Sequence, residues 1–145
     1  MTKLKRILVI DDSEVMLERI KSALGQAGYE VLATAHIVGN ARYLPTCDLV
    51  IIDFHMPGLD GSSVVSSLRS IANASKNICP LIVYTADDKI AAMHAQLGFD
   101  GAFTAKGDLR ALVRQVATLF RTSDMRIEKQ RRSTAEANRQ DKRGS

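Results

Sequence analysis

The chain has no tryptophan, two cysteines and three prolines in its 145 residues, and only 5% of it is aromatic. Cys47 and Cys79 show no C-x-x-C spacing and no companion cluster, which excludes a disulfide framework and a zinc finger. Both read as small buried hydrophobes near strand starts. His36, His55 and His94 are scattered, without the H-x-x-x-H spacing of a histidine metal site. Long apolar runs are also missing. The stretches Ile7 to Ile10 and Leu49 to Ile52 stop at four residues, far short of the ~20 that a membrane helix needs. The opening MTKLKRILVIDD starts with basic residues, as a signal peptide does, but its apolar part runs straight into Asp11 and Asp12. A signal core of ~7–15 apolar residues is not reached. The expected location is the cytoplasm.

Charge of one sign is not spread over the chain either. The net charge is +4, but residues 1–121 hold 13 Lys and Arg against 12 Asp and Glu, and residues 122–145 hold 7 against 4. The basicity therefore lies mostly in TSDMRIEKQRRSTAEANRQDKRGS. One domain is expected over 1–121, with a basic, polar tail over 122–145 that is weakly structured or extends the last helix. A nearly neutral globular part does not make a nucleic-acid-binding domain, so no specific nucleic acid partner is expected.

What is present is an alternation of short apolar runs and helical stripes. Strands are expected at Lys5–Ile10, Tyr29–Thr34, Asp48–Ile52, Leu81–Tyr84 and Phe99–Phe103. Between them, Met16, Ile20, Leu24 and Ala27 mark a helix that stops at Gly28, and residues 37–44 a short weak one. Val64, Val65, Leu68 and Ile71 mark a third helix, and residues 88–97 an alanine-rich one ending at Gly98. Leu109, Leu112, Val113, Val116, Leu119 and Phe120 form the cleanest stripe. Five strands alternating with five helices imply an α/β fold, a doubly wound parallel sheet with right-handed crossovers.

Ligands of such sheets sit outside the carboxyl ends of the strands. The residues there are Asp11 and Asp12 after the first strand, Asp53 after the third, Thr85 after the fourth and Lys106 after the fifth. Singly, each has an ordinary explanation as a helix cap, turn residue or solvated lysine. Together they do not. Like charges ~4 Å apart repel by about 4 kcal/mol at an effective dielectric of ~20. A hard, oxygen-liganded cation such as Mg²⁺ relieves that repulsion with one or two carboxylates plus phosphate oxygens. A lysine ammonium and a threonine hydroxyl beside it complete a phosphate site, and a neighbouring carboxylate can itself be the nucleophile.

These residues stand in the segments ILVIDDSEVM, LVIIDFHMPGLDG, VYTA and GAFTAKG. In that order and context the chain, over about residues 5 to 121, resembles the receiver domain of a bacterial two-component response regulator. The resemblance implies a flavodoxin-like sheet of strand order 2-1-3-4-5 and a role in phosphorelay signal transduction. It implies that Asp53 is the phosphoacceptor, fed by a histidine kinase or a phosphotransfer protein. Asp12, Asp53 and the backbone carbonyl of His55 would ligate Mg²⁺, with Asp11 acting mainly through a metal-bound water. Thr85 and Lys106 would contact the phosphoryl group, and Phe103 matches the family's aromatic switch position. The domain would be a signalling module rather than an enzyme, although it assists its own phosphorylation and dephosphorylation. It would act by switching a docking face for a downstream protein, with no membrane involved.

One departure concerns the lysine. The family usually has a cis-proline after it, whereas this chain has Gly107. A cis bond without proline costs ~2.5–4 kcal/mol, so a trans Lys106–Gly107 bond is expected. Rival readings fit less well. A phosphatase of the haloacid dehalogenase type would carry D-x-D after the first strand, and this chain has adjacent aspartates. No glycine-rich nucleotide loop occurs, and the 24 residues after Arg121 are too few for a helix-turn-helix effector.

Overall fold

The computed structural model describes residues 4–35, 46–53, 66, 70 and 79–143. Its elements are β1 (Arg6–Ile10), α1 (Glu14–Gln26), β2 (Glu30–Thr34), β3 (Leu49–Asp53), β4 (Leu81–Tyr84), α2 (Asp88–Ala92), β5 (Gly101–Phe103) and α3 (Leu109–Arg143). The five strands form one sheet of order β2-β1-β3-β4-β5, every neighbouring pair parallel. Burial explains the order. RILVI, LVIID and LIVY are buried almost throughout and take the three central places, while the less buried β2 and β5 form the edges. Leu8, Ile10, Val50, Ile52, Leu81, Val83 and Phe99 share a core cluster with the buried Cys47 and Cys79. Burial pushes the Cys47 thiol up to about 11.

The strand ends differ from the sequence expectation by a residue or two, and one shift matters. β3 ends on Asp53 rather than before it, because its backbone keeps register with Tyr84 of β4. At the opposite sheet edge two aspartates have a structural task. Asp48 Oδ2 accepts the Arg6 amide at 2.8 Å, and Asp100 Oδ2 accepts the Leu81 amide at 2.8 Å. Each carboxylate thus takes the first N–H of a neighbouring strand, a donor that the sheet edge would otherwise leave unpaired.

α1 starts at Ser13, whose hydroxyl accepts the Met16 amide at 3.2 Å. It buries Leu17, Ile20 and Leu24 and stops where Gly28 takes φ 101°, with the Tyr29 amide bonded back to the Leu24 carbonyl. The helix expected over 88–97 is shorter. Asp87 caps α2, but regular helix ends at Ala92. There the Met93 amide is shared between the Lys89 and Ile90 carbonyls and the His94 amide bonds to Ala91, so the chain tightens into turns up to Gly98. The helix expected over 37–44 lies outside the described residues. So does the one around 64–71, except for Ser66 and Ser70, which are both helical.

The chain divides into two compact units, Met1–Val113 and Arg114–Ser145. The first carries the sheet. In the second, Val116 and Phe120 are buried, and from Arg121 to Arg139 every described side chain is exposed except the half-buried Ser123. Among the described residues no helix is long and apolar enough to cross a membrane.

Candidate phosphoryl and metal site

The carboxyl ends of β1, β3, β4 and β5 bring Asp11, Asp12, Asp53, Thr85 and Lys106 to one sheet edge. Asp11 follows β1, with its amide bonded to the Thr34 carbonyl at 3.2 Å. Its Oδ1 accepts the Ser13 amide at 2.9 Å, so this carboxylate also holds the start of α1. Asp11 and Asp53 are buried and Asp12 is exposed. The three offer carboxylate oxygens that all lie within 4.8 Å of one another.

Lys106 comes in from the loop after β5. Its Nζ lies 2.9 Å from Asp53 Oδ1 and 3.4 Å from Asp11 Oδ2. The longer contact is an ion pair without hydrogen-bond geometry, and Asp11 Oδ2 is buried with no hydrogen-bond partner. Burial pushes the Asp11 carboxyl up from 3.8, and the Asp53 charge adds to it against the Ser13 amide and Lys106. Burial pulls the Lys106 ammonium down, but the hydrogen bond and charge of Asp53, with the charge of Asp11, leave it raised overall. One lysine thus faces two buried carboxylates, and the local charge is uncompensated. That imbalance, with a buried carboxylate oxygen that accepts no hydrogen bond and a third carboxylate in reach, suits a hard divalent cation.

Thr85 is buried just beyond β4, with its amide bonded to the Phe103 carbonyl at 3.1 Å. Its hydroxyl oxygen accepts the Asp87 amide at 3.0 Å, which leaves the hydroxyl proton for donation elsewhere. Phe103 is buried at the end of β5, paired with Tyr84. His55 lies outside the described residues.

Residues 7–117 match the family profile of the response regulator receiver domain. The chain belongs to the response regulator receiver family. As such it is a signalling domain of phosphorelay systems. Among curated relatives, the transcriptional regulatory protein PrrA of Mycobacterium tuberculosis is 35% identical over 122 residues, covering 80% of this chain and 50% of that protein. The sensory/regulatory protein RpfC of Xanthomonas campestris pv. campestris is 34% identical over 128 residues, covering 78% of this chain and 18% of that protein. This receiver chain therefore spans about half the length of PrrA or less of its curated relatives. In fold it is similar to the chemotaxis response regulator CheY4 of Vibrio cholerae, with TM-score 0.68 and 21% identity over 80% of this chain and 98% of that one. It is likewise similar to a signal receiver domain from Bermanella marisrubri, with TM-score 0.69 and 27% identity over 81% of this chain and 99% of that one.

One contact beside the site has no signal in the sequence. Tyr84, fully buried in β4, accepts the Gly107 amide on its hydroxyl at 3.0 Å. The two residues are 23 apart in the chain, and no local pattern signals such a contact. The Lys106–Gly107 bond is trans, in keeping with the absence of proline.

Proposed function

We propose that this receiver accepts a phosphoryl group on Asp53 from a histidine kinase or a phosphotransfer protein, and that the modification switches a face that docks a downstream protein. The observation that carries this reading is the buried Asp53 carboxylate held 2.9 Å from the Lys106 ammonium beside two further aspartates. A carboxylate oxygen of Asp53 attacks phosphorus. The new O–P bond forms as the donor's P–N or P–O bond breaks, and the bonding pair leaves with the donor. Lys106 then pairs with the phosphoryl oxygens in place of the free carboxylate, and the Thr85 hydroxyl donates to one of them.

Asp12 and Asp53, with the backbone carbonyl of His55, are the proposed Mg²⁺ ligands, and Asp11 acts through a metal-bound water. When bound, the ion supplies positive charge against the phosphoryl oxygens and the clustered carboxylates. Phe103 is the proposed switch. A phosphoryl group on Asp53 draws Thr85 towards it, and the space vacated beside β4 biases the aromatic side chain between two positions. The same residues assist both gain and loss of the group, in the cytoplasm where the donor kinase acts.

The test is incubation with a small phosphodonor, with and without Mg²⁺, for the native chain and for Asp53→Asn. Stoichiometric label is expected only for the native chain with Mg²⁺. Equal labelling of the Asp53→Asn variant would sink the assignment.

A further inference from the structure

The loop that carries Lys106 is unusual in its backbone. Ala105 has φ 56° and Gly107 has φ 100°, so the lysine stands between two residues in left-handed conformations. The loop closes on itself where the Asp108 amide bonds to the Ala105 carbonyl at 2.9 Å. Asp108 then caps α3, its Oδ1 accepting the Ala111 amide at 3.1 Å. These bonds fix the residues flanking Lys106. Neither bond uses the N–H or the C=O of the peptide plane that joins Lys106 to Gly107. Among the described residues, that plane is held from the sheet by the Gly107 N–H donating to the Tyr84 hydroxyl at 3.0 Å.

Tyr84 is well placed to serve as an anchor. It is 1% exposed, and its backbone is paired with Asp53 on one side and Phe103 on the other. A hydroxyl on a fully packed ring in a central strand has little freedom to move. Pinning the peptide after Lys106 restrains rotation about that residue's Cα–C bond, and so restrains how its side chain is presented to Asp53.

We infer that Tyr84 is a positioning residue for Lys106: its buried hydroxyl holds the Gly107 amide and so aims the lysine at the Asp53 carboxylate. The inference rests on the reading of Lys106 as the phosphoryl-contacting cation. Here a side chain of β4 fixes the loop through a hydrogen bond to the residue after the lysine. The ring of Tyr84 serves the core, and its oxygen serves the site.

The test is a double-mutant cycle of Tyr84→Phe and Lys106→Ala in the full chain, read in two ways. Phenylalanine keeps the ring and removes only the hydroxyl, so the fold is preserved. The first reading is the rate of phosphorylation by a small phosphodonor with Mg²⁺. Tyr84→Phe should slow it about three- to tenfold, the range of one lost neutral hydrogen bond. In the Lys106→Ala background the same change should have no further effect.

The second reading uses the metal-free protein and is independent of phosphorylation. The Gly107 amide should exchange with solvent faster in Tyr84→Phe, and the thermal unfolding shifts of the two substitutions should be non-additive. An unchanged phosphorylation rate in Tyr84→Phe would overturn the inference. So would an equal slowing in the Lys106→Ala background, or strictly additive unfolding shifts. If the native chain took no phosphoryl group at all, the receiver reading of Asp53 would fail. The exchange and unfolding cycle would then still decide whether Tyr84 positions the lysine.

Discussion

At the scale of single residues, the site is an electrostatic imbalance held in place by packing. Asp11 carries much of it, being buried, next to Asp53, and without a hydrogen-bond partner at Oδ2. Because its folded value is raised above 3.8, the folded state binds more proton than the unfolded one between the ordinary and the raised value. Metal-free stability should therefore fall as pH rises through that window. Asp11→Asn keeps an oxygen for the Ser13 amide and removes the charge. Thermal unfolding of the metal-free variant near neutral pH should come roughly 2–5 °C higher than native, the shift that about 1 kcal/mol produces in a domain of this size. The gain should vanish at acid pH, where the native carboxyl is protonated, and under saturating Mg²⁺, which stabilises the native chain by mass action. A lower unfolding temperature for the variant at neutral pH would mean that the ion pair with Lys106 outweighs burial. Metal titration separates the aspartates further. Asp12→Ala should weaken Mg²⁺ binding more than Asp11→Ala, since the first is proposed to ligate directly and the second through water; equal or reversed losses would contradict that division.

At the scale of elements, the apolar runs of β1, β3 and β4 were readable because each is buried on both faces, so the strands stand out as unbroken hydrophobic segments. The meeting of Asp11, Asp12, Asp53 and Lys106 was readable for a related reason, since a doubly wound sheet brings the carboxyl ends of its strands and the loops that follow them to one edge. What was not readable depends on contacts distant in the chain. Asp48 and Asp100 look like ordinary turn residues in the sequence, and only the sheet shows each accepting the first amide of a neighbouring strand. The alanine-rich stretch at 88–97 has helical spacing, yet its amides switch to nearer carbonyls after Ala92, which side-chain periodicity does not report. α3 poses a different question, because a helix usually owes its stability to a buried face. Leu112, Val116 and Phe120 supply one, whereas residues 128–139 are all exposed. Hydrogen exchange should find the amides of 128–139 on the order of 100-fold less protected than those of 112–120. Equal protection would show that the exposed stretch is stabilised by something other than its own propensity.

At the scale of the whole molecule, the two units differ in charge. Met1–Val113 holds 11 basic and 12 acidic residues, and Arg114–Ser145 holds 9 and 4. The site unit is thus close to neutral, and its chemistry comes from where a few charges stand rather than from their number. On the proposed reading, this arrangement makes Asp53 the phosphoacceptor. The most direct measurement is site mapping. The native chain is treated with a small phosphodonor and Mg²⁺, the acyl phosphate is reduced with borohydride, and the modified residue is located by tandem mass spectrometry. The predicted result is a single reduced side chain at position 53; a mark at Asp11, Asp12 or any other residue, or none in protein fully exposed to donor and Mg²⁺, would contradict it.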